Sequence, residues 1–308
     1  MNAAIVEVME RSGYTLPDGH SDAGLMEKLS REISRLTGFE NYGVPFCMTV
    51  EAEALGSGID LGSLTCEPKI KQERFASVSD ADIALPEKAG LGERVRVTAS
   101  AVSKLTGGDI PVIGSITGPV STAASLVDPM MFLRELRKDK ENAHRVLSAV
   151  TNWLVSYALV LRESGADIIA IADPTATGEI LGPRFFEEYA LTYINRLVSE
   201  LRSTEIPVIV HICGQLSSVK QHVAVLGGDA ISTDAMVNLR NLKNEYPDLV
   251  TMGNLSTIKL EQGDHEGIVR STEALLQSGI DILAPACGLS TATPLENIAA
   301  FTGRAKEG

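Results

Sequence analysis

From residue 110 onward the chain alternates between short, almost uninterrupted apolar runs and longer stretches patterned like helices. The runs are IPVIGSITG (110–118), ADIIAIADP (166–174), IPVIVHICG (206–214), DAISTDA (229–235), LVTMGNLS (249–256) and IDILAPACG (280–288). Near-continuous apolarity predicts strands buried on both faces, as in a parallel sheet covered by helices. Helical patterns such as 143–164 and 185–203 lie between the runs. Thr293-Pro294-Leu295-Glu296 reads as a helix start, with Thr293 as the cap, Pro294 in the first turn and Glu296 as the reciprocal cap. VPFCMTVE (44–51) predicts a seventh strand. Residues 1–40 read as helical, 66–74 offer only an irregular strand, and an eighth strand is not evident. Strands alternating with helices predict a parallel α/β fold. Neither a GxGxxG after the first strand nor a Walker A motif is present, which argues against a nucleotide-binding doubly wound sheet. With 308 residues and no linker, the expectation is a single domain over 1–308, a TIM (β/α)8-type barrel lacking its first strand at the N-terminus.

Composition narrows this further. Hydrophobic residues make up 44% of the chain but aromatics only 5%, so the core is mostly aliphatic, as suits a layered α/β interior. With 27 basic and 40 acidic residues the net charge is −13, which argues against nucleic acid and anionic membranes as partners. No apolar run approaches the ~20 residues of a membrane span, and the N-terminus lacks the pattern of a signal peptide. A cytoplasmic protein is expected, with a homodimer as one arrangement. Four cysteines, Cys47, Cys66, Cys213 and Cys287, do not make a disulfide scaffold in a chain this long.

In a barrel of this type the chemistry sits at the C-terminal ends of the strands. Those ends carry Glu51, Thr117, Asp173, His211 with Cys213, Asp234, Asn254 and Cys287. His211 and Cys213 are two apart on one predicted strand, so their side chains share a face. Gly214 ends that strand, and Cys287 comes 74 residues later at the end of the last one. One imidazole and two thiolates suit Zn²⁺, and three protein ligands leave one position free, the layout of a catalytic zinc. A structural site is usually closed by CxxC pairs, and none occurs. Two thiolates lower the Lewis acidity of the metal, which favours holding a substrate thiol as its thiolate over activating water. Alkyl transfer onto sulfur is the chemistry this predicts.

Plainer readings apply to the other candidates. Cys47 reads as core and Cys66 as structural or exposed. His144 and His222 fall on helical patterns and read as surface residues; His20 and His265 read as caps in loops or at helix starts. Asp173 precedes a proline, so a turn or cap is an alternative to catalysis. Glu51 could pair with a structural arginine, and Asn254 could simply hold a turn.

The chain resembles the uroporphyrinogen decarboxylase superfamily, and within it the methylcobamide:coenzyme M methyltransferases. The segments that carry the resemblance are PDGHSD (17–22), VPFCMTVEAEALG (44–56), ITGPVSTAASL (116–126), HICG (211–214), MGNLS (252–256) and PACGLSTATPLENI (285–298). The resemblance implies zinc on His211, Cys213 and Cys287, and a zinc-bound thiol attacking the methyl group of a methylated corrinoid. The corrinoid (methylcobamide) is carried on a separate small protein that docks at the barrel mouth. The implied methyl acceptor is a thiol such as coenzyme M, or in bacterial relatives another acceptor such as tetrahydrofolate. Glu51, Asp173 and Asn254 become catalytic candidates for positioning substrate or completing the metal shell. Members of the family usually begin with a further segment that includes the first barrel strand; here the sequence starts at what reads as the helix after it. A metal-free decarboxylase of tetrapyrrole type and a non-catalytic corrinoid-binding relative are the alternatives. The first lacks its arginine-containing N-terminal segment here and leaves the three ligands unexplained.

Overall fold

The structure is a computed structural model that describes residues 3–83 and 91–307. Seven parallel strands form one curled sheet in the order β1 (Tyr42–Val44), β4 (Val112–Thr117), β5 (Ile168–Ala172), β6 (Val208–Ile212), β7 (Ala230–Thr233), β8 (Thr251–Leu255) and β9 (Ile282–Pro285). A separate antiparallel hairpin pairs β2 (Gly58–Asp60) with β3 (Lys69–Gln72). The six apolar runs from residue 110 onward thus became β4 to β9. Helices cover the outer face: a side chain at Gly114 would meet Leu161 and Ile169 at 3.0 and 3.3 Å, so the helix Lys140–Glu163 presses directly on β4.

Three aspartates set the register of alternate strand pairs. Asp167, just before β5, donates its amide to Val112 O and accepts the Val112 amide on Oδ2 at 2.7 Å. Asp229 does the same with Val208, and Asp281 with Thr251. Each carboxylate satisfies the first amide of a strand, a donor that would otherwise be costly to bury.

The sheet is the half-barrel of a TIM-like fold: its edges, β1 and β9, are not paired with each other among the described residues. Helices bridge that gap. Ile5, Val8 and Met9 are buried, and Val6 N donates to Thr291 O at 2.8 Å. Thr302 Oγ1 donates to Thr37 O at 2.6 Å, tying the last helix, Leu295–Glu307, to the helix Ala23–Thr37. No helix among the described residues is long and apolar enough to cross a membrane.

Three expectations need correction. The run 44–51 is a strand only up to Val44; Pro45 offers no N–H to a ladder, and Glu51 lies in the helix Val50–Ala54. Residues 66–74 do contain a strand, β3, but it pairs in the hairpin and adds nothing to the barrel. Thr293 does not cap the last helix: its buried hydroxyl has no hydrogen-bond partner, and Leu295 N donates instead to Glu7 Oε1 at 3.2 Å.

Candidate metal centre

β6 carries His211 toward the C-terminal end of the sheet, and Cys213 follows two residues on, with Gly214 at φ 73° turning the chain away. Cys287 follows β9; the Ala286 amide donates to Leu255 O at 2.8 Å, so the ladder with β8 runs to the residue before it. The three side chains meet. His211 Nε2 lies 3.0 Å from Cys213 Sγ, the two sulfurs are 3.9 Å apart, and all three ligand atoms fall within 4.8 Å of one another. For tetrahedral zinc with Zn–S of about 2.3 Å and Zn–N of about 2.0–2.1 Å, two sulfurs stand about 3.8 Å apart and a sulfur and a nitrogen about 3.6 Å. The sulfur pair already fits; His211 Nε2 stands about 0.6 Å too close to Cys213 Sγ, so the imidazole must swing away from it to ligate. Among the described residues no fourth His, Cys, Asp or Glu atom joins the group.

Burial and proximity govern the thiols. Cys287 is pulled below the ordinary thiol range chiefly because the Cys213 thiol hydrogen-bonds to its sulfur. Cys213 is pushed up by the same bond to Cys287, then by burial and by repulsion from Cys287, Asp234 and Asp173. The pair therefore gives up one proton readily and resists losing the second. A divalent cation between them would remove that resistance, since metal binding deprotonates thiols outright.

The other candidate residues are tied to backbone groups near the C-terminal ends of the strands. Glu51 is buried and accepts the Thr117 amide at 2.7 Å and the Thr117 hydroxyl at 2.9 Å. Asp173, also buried, accepts the amides of Val120 and Ser121 at 2.9 and 2.8 Å and the Ser121 hydroxyl at 2.6 Å. Burial raises the pKa of both carboxyls, and these donors pull it back. The two together pin the turn from Thr117 to Ser121 beside the mouth. Asn254 Nδ2 donates to the carbonyls of Asp234 and Val237, both at 2.8 Å, and so holds the loop after β7. Asp234 accepts the Met236 amide at 3.0 Å.

Several residues depart from their plain readings. His20 is buried with both ring nitrogens unpartnered. His144 is not a simple surface residue: its Nδ1 is 2.9 Å from Tyr193 Oη, and its ring lies against Tyr189. Cys47 is half-buried and accepts from Arg94 Nη2 at 2.7 Å. Asp264, rather than His265, caps the helix His265–Leu276. Cys66 is exposed.

Two residues beside the ligands escaped notice in the sequence. Ser232 Oγ lies 3.0 Å from His211 Nδ1. Glu179 Oε2 accepts the Gln215 amide at 3.2 Å and occupies the space a side chain at Gly214 would need. Ser232 carried a signal, since it stands two residues before Asp234 and so on the same face of the strand. Glu179, in a helix after β5, carried none.

Comparison with known proteins identifies the family. The family model described as Uroporphyrinogen decarboxylase (URO-D) matches residues 1–308. The Methylcobamide:CoM methyltransferase MtbA of Methanosarcina acetivorans is 32% identical over 299 residues, covering 96% of this chain and 88% of that protein. The Methylcobamide:CoM methyltransferase MtaA of Methanosarcina barkeri is 30% identical over 311 residues, covering 98% and 90%. A solved methyltransferase from Methanosarcina mazei superposes with a TM-score of 0.93 at 29% identity, covering 99% of this chain and 91% of that one. The chain belongs to the uroporphyrinogen decarboxylase family, in its methylcobamide:coenzyme M methyltransferase branch, and is a methyltransferase.

Proposed function

We propose that this protein moves a methyl group from a methylated corrinoid, carried on a separate small protein, to a thiol such as coenzyme M, at a zinc ion held by His211, Cys213 and Cys287. Tetrahydrofolate is the other acceptor class. The observation that carries the reading is the meeting of three ligand atoms within 4.8 Å at the C-terminal ends of β6 and β9. The zinc supplies a Lewis acid that keeps the acceptor sulfur deprotonated at neutral pH. The acceptor sulfur forms a bond to the methyl carbon as the carbon–cobalt bond breaks. The electron pair of that bond stays on cobalt, and the thiol proton goes to solvent.

The chain's own groups shape this event. Glu51 and Asp173 fix the Thr117–Ser121 turn at one side of the mouth, and Asn254 fixes the loop after β7 at the other. They are proposed to position the substrates by holding these segments. Met48, Ile180, Met236 and Ile258, in segments following β1, β5, β7 and β8, are exposed large apolar residues on the mouth side. Such exposure supports a docking partner there. The whole chain is read as one barrel domain.

The test uses one preparation. Metal analysis is expected to find about one zinc per chain, lost or much weakened in Cys213→Ala and Cys287→Ala. Visible spectroscopy of methylcobalamin is then expected to show demethylation that depends on both added thiol and zinc. A fully loaded protein that leaves methylcobalamin intact with both coenzyme M and tetrahydrofolate would overturn the assignment.

A further inference from the structure

We infer that Ser232 is a positioning residue for the metal centre: its hydroxyl accepts the Nδ1–H of His211 and so presents an unprotonated Nε2 to the two cysteines. The inference rests on the zinc reading above.

Four observations carry it. Ser232 and His211 are direct partners in the parallel ladder between β6 and β7, so the contact is built into the strand register. Ser232 Oγ lies 3.0 Å from Nδ1 while Nε2 faces Cys213 Sγ at the same distance, so the two nitrogens have different surroundings. Ser232 is fully buried and His211 nearly so, which makes water a poor substitute partner for either. The neighbouring hydroxyl of β7, Thr233 Oγ1, accepts from Asn254 Nδ2 at 3.4 Å, which leaves Ser232 as the β7 hydroxyl that serves the imidazole.

A neutral imidazole carries its proton on one nitrogen, and the partner of that nitrogen selects which. With the proton on Nδ1 and bonded to Ser232, the Nε2 lone pair is free for the cation. With the proton on Nε2, the ring must change tautomer before it can ligate. A buried Nδ1–H without an acceptor costs about 1–3 kcal/mol, so removing the hydroxyl penalises the ligating tautomer. A hydroxyl also suits this position better than a carboxylate would. Two thiolates already balance the charge of a divalent cation, and an acidic partner would add a further negative charge to a site that must accept a substrate thiolate. Ser232 orients the ring without changing that balance.

The experiment compares wild type, Ser232→Ala and Ser232→Thr. Zinc affinity is measured by competition with a chromophoric chelator. Alanine is expected to weaken zinc binding by about 10–100-fold, the usual consequence of losing a hydrogen-bond partner of a metal-ligating histidine, and threonine to restore most of it. Imidazole ¹⁵N spectra of the zinc-free protein are expected to show His211 with its proton on Nδ1 in wild type and a mixture of tautomers in Ser232→Ala. Zinc affinity within twofold of wild type for the alanine variant, or a wild-type proton on Nε2, overturns the proposal. If wild type takes up no zinc at all, the methyl-transfer reading fails, and the tautomer measurement still decides the role of Ser232. If Ser232→Ala does not fold, the threonine variant and the wild-type spectrum decide it.

Discussion

His20 makes the stability of this protein depend on pH in a way that one substitution removes. The side chain is 1% exposed, and neither ring nitrogen has a partner. Arg94, itself buried, donates from Nε to the His20 carbonyl at 3.4 Å, so its guanidinium stands nearby. Burial first, and the Arg94 charge second, lower the pKa of His20 from 6.5 to about 4. The unfolded chain therefore binds a proton below pH 6.5 that the folded chain refuses until about pH 4. Stability is fully present above the unfolded value and is lost as pH falls across that window. The loss reaches about 1.4 kcal/mol per pH unit where it is steepest and about 3 kcal/mol in total. His20→Leu fills a similar volume and binds no proton. At pH 7.5 it is expected to lie within about 1 kcal/mol of wild type, because it removes two unpartnered polar atoms along with their packing. At pH 4.5 it is expected to be the more stable protein. Urea denaturation followed by circular dichroism from pH 8 to 4.5 measures both curves. Their difference isolates His20, since the carboxylates titrate alike in the two proteins. Parallel curves across the whole range would refute the reasoning.

Two further substitutions test the local geometry. Gly214→Ala puts a side chain on a residue at φ 73° and drives its Cβ into the Glu179 carboxylate; thermal melts are expected to show a loss of about 1–3 kcal/mol, with the zinc stoichiometry unchanged. Asp229→Ala strips the Val208 amide of its carboxylate acceptor at 2.7 Å and is expected to cost about 1–3 kcal/mol; hydrogen exchange should show faster loss of protection at Val208 than at Ile212, and equal protection at both ends of β6 would refute the clamp.

What was legible in the sequence, and what was not, divides along the range of the interactions concerned. The six runs from residue 110 became strands because an apolar pattern on both faces has few other places to go. His211 and Cys213 were placed on one face by the two-residue period of a strand, which is a local property. Cys287 was placed by the rule that strands of a barrel end at one mouth. The run 44–51 misled because its apolar residues continue past Val44 while the backbone does not; Pro45 ends the ladder, and the following residues bury themselves through the helix Val50–Ala54. The cap of the last helix was unreadable for a different reason. The local sequence offers Thr293, but the acceptor is Glu7, and no pattern within a helix reports a carboxylate from the other end of the chain.

The register of the strands lies between these extremes, because its determinants were present in the sequence. Each of the three aspartates precedes an apolar run, in ADI, GDA and IDI. Each clamps the first residue of the strand before its own, so Val208 faces Asp229. Counting three residues along both strands from that clamp brings His211 opposite Ser232, the pairing observed. The same count from Val112 and Asp167 aligns Ser115 with Ala170, and from Thr251 and Asp281 it aligns Asn254 with Ala284. A carboxylate at the base of the sheet thus decides which hydroxyl meets the His211 imidazole near its mouth. A shift of one residue between β6 and β7 would bring Ile231 or Thr233 opposite His211 in place of Ser232.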